Sequence, residues 1–227
     1  MNLTGLHRRL LDDVLRAGTE YPLVLTGGYA VQAHGLVDRL SRDLDVATEN
    51  PRPMAEIVAH LRSELEARGW RVRTVETDPL SARLIVTDPG SGEACEVDVL
   101  KEVLCGPPER REFGLLLSLR DVVGTKVRAL ADRGMPRDLI DVHAAAERGW
   151  SPEELEELGR QHARDGFDLE ELQAKLAGAE WIDDDEFAAH GLDEERIREL
   201  RGWAQRWADD IGERLLEGAD PVDDDGL

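Results

Sequence analysis

Cysteines, aromatics and long apolar runs are all scarce in this chain. The two cysteines, Cys95 and Cys105, show no metal-ligand spacing, and the six histidines are scattered without a recognisable metal constellation. Aromatics make up 4% of the 227 residues, so aliphatic side chains must fill the core. No apolar stretch approaches the roughly 18 residues that a membrane helix needs. The N-terminus is amphipathic, carries both charge signs and lacks the continuous apolar segment of a secretory signal. These absences predict a soluble, cytoplasmic chain with no membrane partner.

What the chain has in excess is negative charge, −21 overall. Residues 1–147 hold 19 basic and 24 acidic side chains, whereas residues 148–227 hold 9 and 25. The second stretch therefore carries −16 of the total. Nucleic-acid binding rests heavily on basic side chains, so this balance argues against a general DNA or RNA binder. A local basic patch stays compatible with it, because exposed charges are screened beyond about 8 to 10 Å.

Periodicity divides the chain in two. Helical spacing of Leu3, Leu6, Leu10, Val14 and Ala17 predicts a helix over 3–17. A strand and turn over 21–28, a short helix over 29–35 and a strand over 43–48 follow. Residues 54–69 read as an amphipathic helix closed by Gly69. Strands over 71–77, 82–87 and 94–100 are separated by Asp78-Pro79 and by Asp88-Pro89-Gly90-Ser91-Gly92, most simply an antiparallel meander. The fold class is α+β: a small mixed sheet with helices on one face, over 1–118, followed by an all-helical lobe over 119–219. Helices are expected at 119–133, 138–148, from Ser151-Pro152, at 168–177 and at 193–217. The acidic end, 220–227, is expected to be disordered.

The chemistry concentrates in residues 24–46, Val-Leu-Thr-Gly-Gly-Tyr-Ala-Val-Gln-Ala-His-Gly-Leu-Val-Asp-Arg-Leu-Ser-Arg-Asp-Leu-Asp-Val. On a strand Asp43 and Asp45 share one face while Leu44 and Val46 take the other. Adjacent carboxylates repel, and a hard divalent cation such as Mg²⁺ relieves that repulsion. Gly27 and Gly28, at the end of an apolar strand and before a helix, let backbone approach a phosphate closely. The alternative for the aspartates is a polar strand face that simply meets water.

Gly27-Gly28 followed by Arg39-x-Ser41-x-Asp43-x-Asp45 resembles the signature of the DNA polymerase β-type nucleotidyltransferase superfamily, and most nearly that of the AbiEii/MenT toxin-type family. A second stretch, Lys126 followed by Arg137-Asp138-x-x-Asp141, is similar to that family's second motif. The resemblance implies a catalytic lobe over 1–118 and a helical lobe contributing to the active site. It implies transfer of an NMP from an NTP to an acceptor hydroxyl, with pyrophosphate leaving. It further implies two Mg²⁺ ions on Asp43 and Asp45, and a third carboxylate best matched by Asp98, as metal ligand or general base. Glu96 shares the face of Asp98. Lys126 would neutralise phosphate charge, with Asp138 and Asp141 nearby. From the residues alone, Lys126 lies beside an apolar stripe and either snorkels or points into a polar cavity. Arg137 and the two aspartates could equally form a structural ion-pair network. Arg39 could offset triphosphate charge and Ser41 could donate to a phosphate oxygen. Tyr29 suits base stacking or the core, and Trp203 and Trp207 suit lobe packing. The acceptor implied is tRNA, within a toxin–antitoxin pair that supplies a cognate antitoxin. An aminoglycoside or lincosamide nucleotidyltransferase is the alternative; it would take its acidic rim from the Asp183-Asp184-Asp185-Glu186 run, which otherwise reads as an ordinary solvated loop. A catalytically silent binding protein of the same fold is a third.

Overall fold

The computed structural model describes residues 3–39, 41–163 and 166–218, so the acidic end at 220–227 lies outside the described residues. The chain forms two compact units, residues 1–122 and 123–227.

The first unit opens with α1 (Gly5–Ala17), capped by the Thr4 side chain, which accepts from the His7 amide at 3.1 Å. Then come β1 (Val24–Leu25), α2 (Gly27–Ala33), β2 (Asp43–Thr48), α3 (Met54–Ala67), β3 (Arg71–Thr77), β4 (Ser81–Thr87) and β5 (Ala94–Lys101). A hairpin, β6 (Glu109–Arg111) and β7 (Gly114–Leu116), completes a seven-stranded sheet in the order β3-β4-β5-β2-β1-β7-β6. The meander expected for β3, β4 and β5 is antiparallel as read, and β5 joins β2 in parallel. The hairpin escapes sequence reading because its strands are three residues each, too short for alternation to register. β1 is also shorter than the expected 21–28, since the left-handed backbone at Gly27 (φ +62°) ends it and starts α2.

Alternation sets what each sheet face does. Leu44 and Val46 of β2, Leu84 and Val86 of β4, and Val97 and Val99 of β5 are buried with Leu10, Leu11 and Val14 of α1 and Ile57, Leu61 and Leu65 of α3. The residues between them, Asp43, Asp45, Arg83, Glu96 and Asp98, stand half-buried on the opposite face. The hydrophobic face thus fixes the register, and the register fixes where the polar residues go.

The second unit is helical. It takes in the later turns of α4 (Leu119–Arg133), then α5 (Pro136–Ala146), α6 (Pro152–His162), α7 (Leu169–Ala177), a 3₁₀ turn (Gly178–Trp181), α8 (Asp184–Ala188) and α9 (Glu194–Gly218). Ser151 and Glu154 form a complete capping box on α6. Ile197, Leu200, Ala204, Trp207 and Ile211 make the buried stripe of α9. Buried Glu156 ties α6 to α9, accepting from Trp207 Nε1 and Arg214 Nη1, each at 3.0 Å. The acidic run 183–186, expected as a solvated loop, instead starts α8: its carboxylates suit a helix N-terminus, Phe187 is buried, and Arg201 pairs with Asp184 at 2.7 Å. Among the described residues, no helix is long and apolar enough to cross a membrane.

Strand alternation makes Leu44 and Asp43 separable. Leu44→Ala should cost about 3 kcal/mol through the cavity it leaves. Asp43→Asn on the opposite face should leave stability nearly unchanged or raised. Urea denaturation of the two variants checks the contrast.

Candidate active site

The acidic face is built by strand pairing. β2 and β5 run in parallel with Asp43 opposite Glu96 and Asp45 opposite Asp98. Four carboxylates therefore line one patch of sheet surface, drawn from two strands that are distant in sequence. Their field is felt around them. The Cys95 thiol is pushed up to about 12, mainly by burial and further by the charges of Asp43 and Asp45. The Glu96 carboxyl is raised by burial and by Asp98 and Asp43, which together outweigh the lowering from Arg83.

Gly27 borders this face. Its own backbone is left-handed, and a Cβ built there would lie 1.8 Å from Asp45 Oδ2. The missing side chain is thus the space that the Asp45 carboxylate occupies. The Thr26 amide donates to the Asp45 carbonyl at 2.9 Å, locking the turn to β2. At Gly28 a Cβ would lie 2.6 Å from Ser41 Oγ. Ser41 itself donates to the Asp43 carbonyl at 3.2 Å, and Gln32 Nε2 donates to the Arg39 carbonyl at 2.9 Å. Gly27, Gly28, Arg39, Ser41, Asp43, Asp45 and Asp98 all belong to the first unit.

Tyr29 is fully buried and so stacks in the core. Its hydroxyl donates to the Ser41 carbonyl at 3.0 Å and is hydrogen-bonded by His7 Nδ1. The hydroxyl has one proton, so His7 must supply the other. Burial pushes the tyrosine up to about 12, with Cys95 and Asp43 adding to it. The segment leading into β2 is therefore anchored from α1 through Tyr29.

Oxygen donors from carboxylates are what a hard divalent cation takes, and the Gly27 cradle leaves Asp45 room beside the turn. Asp43 and Asp45 fit such an ion. Asp98 is differently placed, because both its oxygens accept from Arg83: Nε to Oδ1 at 2.9 Å and Nη2 to Oδ2 at 2.8 Å. Arg83 Nε also lies 3.1 Å from Glu96 Oε1. Donating to Asp98 raises the arginine further above its ordinary value.

In the second unit, Lys126, Asp138 and Asp141 are brought together. The Lys126 ammonium, 8% exposed as a residue, is 2.8 Å from Asp141 Oδ2 and 3.6 Å from Asp138 Oδ1. Arg133 grips Asp138 with two bonds of 2.7 and 2.9 Å. Both aspartates are buried. Burial alone would raise Asp138, but the Arg133 hydrogen bond and the charges of Lys126, Arg133 and Arg137 hold it below its ordinary value. Trp203 packs against His143 and Trp207, as helix packing would have it.

The model of the nucleotidyl transferase AbiEii toxin family, type IV toxin–antitoxin system, matches residues 9–220. This chain belongs to that family. It is thus a nucleotidyltransferase of the AbiEii toxin type. Its fold is similar to MenT4, a nucleotidyltransferase toxin from Mycobacterium tuberculosis H37Rv, at 18% identity and a TM-score of 0.55, covering 92% of this chain and 91% of that one. It is also similar to the crystal structure of a putative nucleotidyltransferase from H. pylori (15% identity, TM-score 0.56, 96% and 98% covered). JHP933 from Helicobacter pylori matches at 18% identity and a TM-score of 0.53, with 95% and 97% covered. No curated protein matches the chain by sequence.

Arg83 is the residue at this face that sequence reading of the AbiEii-type motifs passes over. The signal was present: the turn at Asp88–Gly92 pairs Thr87 with Ala94, and counting back along both strands sets Arg83 opposite Asp98. His7 had no comparable signal, since its partner Tyr29 is 22 residues away.

Gly27→Ala should be destabilising by about 1–3 kcal/mol, from the left-handed backbone and the overlap with Asp45. Thermal denaturation measures the loss, and nucleotidyl transfer should fall with it. Asp138→Asn should lose about 2 kcal/mol at pH 7. A carboxyl held below its ordinary value stabilises the fold above that value, about 3.8, and the contribution disappears as pH falls through the depressed one. The gap between native and variant should therefore close in acid, as denaturation at pH 7 and pH 3 would show.

Proposed function

We propose that this chain moves an NMP from an NTP to the hydroxyl of a tRNA acceptor, with Asp43 and Asp45 as ligands of Mg²⁺. The observation that carries this is the pair of aspartates on one strand face, against a turn whose glycine leaves space only for the Asp45 carboxylate. A bound divalent cation supplies polarisation of the triphosphate and offsets the charge that builds on the departing pyrophosphate. The protein's own groups do the rest. Gly27 and Gly28 make room for Asp45 and Ser41 at the turn that meets the phosphates in this reading, and Arg39 and Ser41, on the segment leading into β2, contribute charge and a hydroxyl donor. The acceptor oxygen forms its bond to the α-phosphorus as the bond to pyrophosphate breaks, and the acceptor proton passes to a carboxylate of this face or to solvent. Asp98 is the third carboxylate in this reading. Lys126 is a further determinant of nucleotide use, assigned from the second motif, and Asp138 and Asp141 hold its ammonium in place.

The choice of tRNA follows family membership and the second motif. It does not follow from charge, which is acidic in both stretches of the chain. Arg39, Arg42 and Arg120 are the basic residues of the first unit that would meet the RNA backbone. A cognate antitoxin is the expected protein partner of a type IV toxin. The aminoglycoside reading called for an acidic rim from the 183–186 run, which starts α8 with its four side chains exposed and Asp184 paired with Arg201.

Incubation with each α-labelled NTP and Mg²⁺, with total tRNA or with aminoglycosides, tests the proposal. Labelled tRNA is expected with at least one NTP, in a reaction that weakens steeply as salt rises. Asp43→Asn and Asp45→Asn should abolish it with the fold intact, and Lys126→Ala should reduce it by about a hundredfold or more. Labelled aminoglycoside with unlabelled tRNA would replace the acceptor, and full activity in either aspartate variant would end the mechanism.

A further inference from the structure

β5 lies between β4 and β2, so its carboxylates have neighbours on both sides. On the β2 side stand Asp43 and Asp45, the acids assigned to a divalent cation above. On the β4 side stands Arg83, in register with Asp98 and bonded to both of its oxygens. Asp98 can serve a cation on the β2 side or the guanidinium on the β4 side, and in this structure the guanidinium has it. Arg83 also reaches Glu96 at 3.1 Å, so one positive charge is shared between half of the four acids. The pair is not sealed in the core: the Arg83 side chain is 40% exposed and that of Asp98 is 17% exposed. The guanidinium can therefore leave its partner without stranding a buried charge.

We propose that Arg83 is a positioning residue that competes with the divalent cation for Asp98. Resting on the metal reading of Asp43 and Asp45, it gives the third carboxylate a dual state. Without metal, Arg83 holds Asp98 toward β4 and offsets the repulsion of the acidic face. With metal, Asp98 turns to the ion and Arg83 is released toward solvent. Divalent affinity is thereby kept lower than four converging carboxylates would otherwise give. The fork geometry of arginine fits a carboxylate with two bonds, but it is the positive charge that competes with the ion.

Mn²⁺ binding to the nucleotide-free protein, followed by electron paramagnetic resonance and calorimetry, tests this independently of activity. Arg83→Gln should bind Mn²⁺ about tenfold more tightly than the native chain, the scale of one unit charge removed from beside a divalent ion. Its melting temperature without metal should drop, and its gain on adding Mn²⁺ should exceed the native gain. Arg83→Lys keeps the charge and should stay within about threefold of native affinity. Unchanged or weaker Mn²⁺ binding in Arg83→Gln, or equal tightening in Arg83→Lys, overturns the competition. If Arg83→Gln folds poorly, the native protein decides: the Arg83 Nε–H resonance, identified by its loss in Arg83→Lys, should move as Mg²⁺ is added. A resonance that does not move overturns the proposal. Asp43→Asn in the Arg83→Gln background separates the two readings. Tightening absent while Mn²⁺ still depends on Asp43 defeats only the role of Arg83. Binding that survives Asp43→Asn defeats the metal assignment and this inference together.

Discussion

Parallel pairing of β2 with β5 is the constraint on which the site depends. It sets Asp43 beside Glu96 and Asp45 beside Asp98, and so collects four like charges on one patch of sheet. Nothing in folding favours that collection for itself. It persists because the opposite face of the same strands, through Leu44, Val46, Val97 and Val99, is buried against α1 and α3. A slip of one residue would turn the acids into the core and the aliphatics into water, at a cost far above the repulsion among partly hydrated carboxylates. Apolar burial thus holds an electrostatically unfavourable surface in place.

Around that patch the chain uses small and fixed groups to keep the geometry narrow. Gly27 clears the volume taken by the Asp45 carboxylate, and Thr26 binds the turn to β2 through the backbone. Tyr29, buried and held by His7, anchors the Ser41 carbonyl two residues before Asp43. Arg83 balances the outer pair of acids. In the second unit the same logic appears with opposite emphasis. There, two buried aspartates are matched by Lys126 and Arg133, and the network is closed by its own cations.

Much of the fold was readable because its elements are long and regular. β2 falls on the expected 43–48, and α4 runs over the expected 119–133. The Ser151-Pro152 start of α6 has the cap that its residues announce. What was missed is short. β6 and β7 have three residues each, and α8 has five, lengths at which neither period can be told from chance. The candidate site was legible where its residues are neighbours in sequence, as with Gly27-Gly28 and Asp43-x-Asp45. Arg83 was passed over although counting back from the Asp88–Gly92 turn sets it opposite Asp98, whereas His7 rests on a partner 22 residues away that no local pattern announces.

By itself, the sequence determined that Asp43 and Asp45 share a face, that a glycine turn precedes them, that the first part of the chain is α+β and the second helical, and that two motifs match one nucleotidyltransferase family. Each of these depends on local spacing, on backbone chemistry or on a contiguous pattern. Only the tertiary structure decided what lies beside those aspartates. Strand order put β5 between β2 and β4, and the β2–β5 register set Asp45 beside Asp98. Packing sent Tyr29 to the core. Those outcomes depend on which strands pair and how their buried faces fit, a choice made by long-range burial that no single segment encodes.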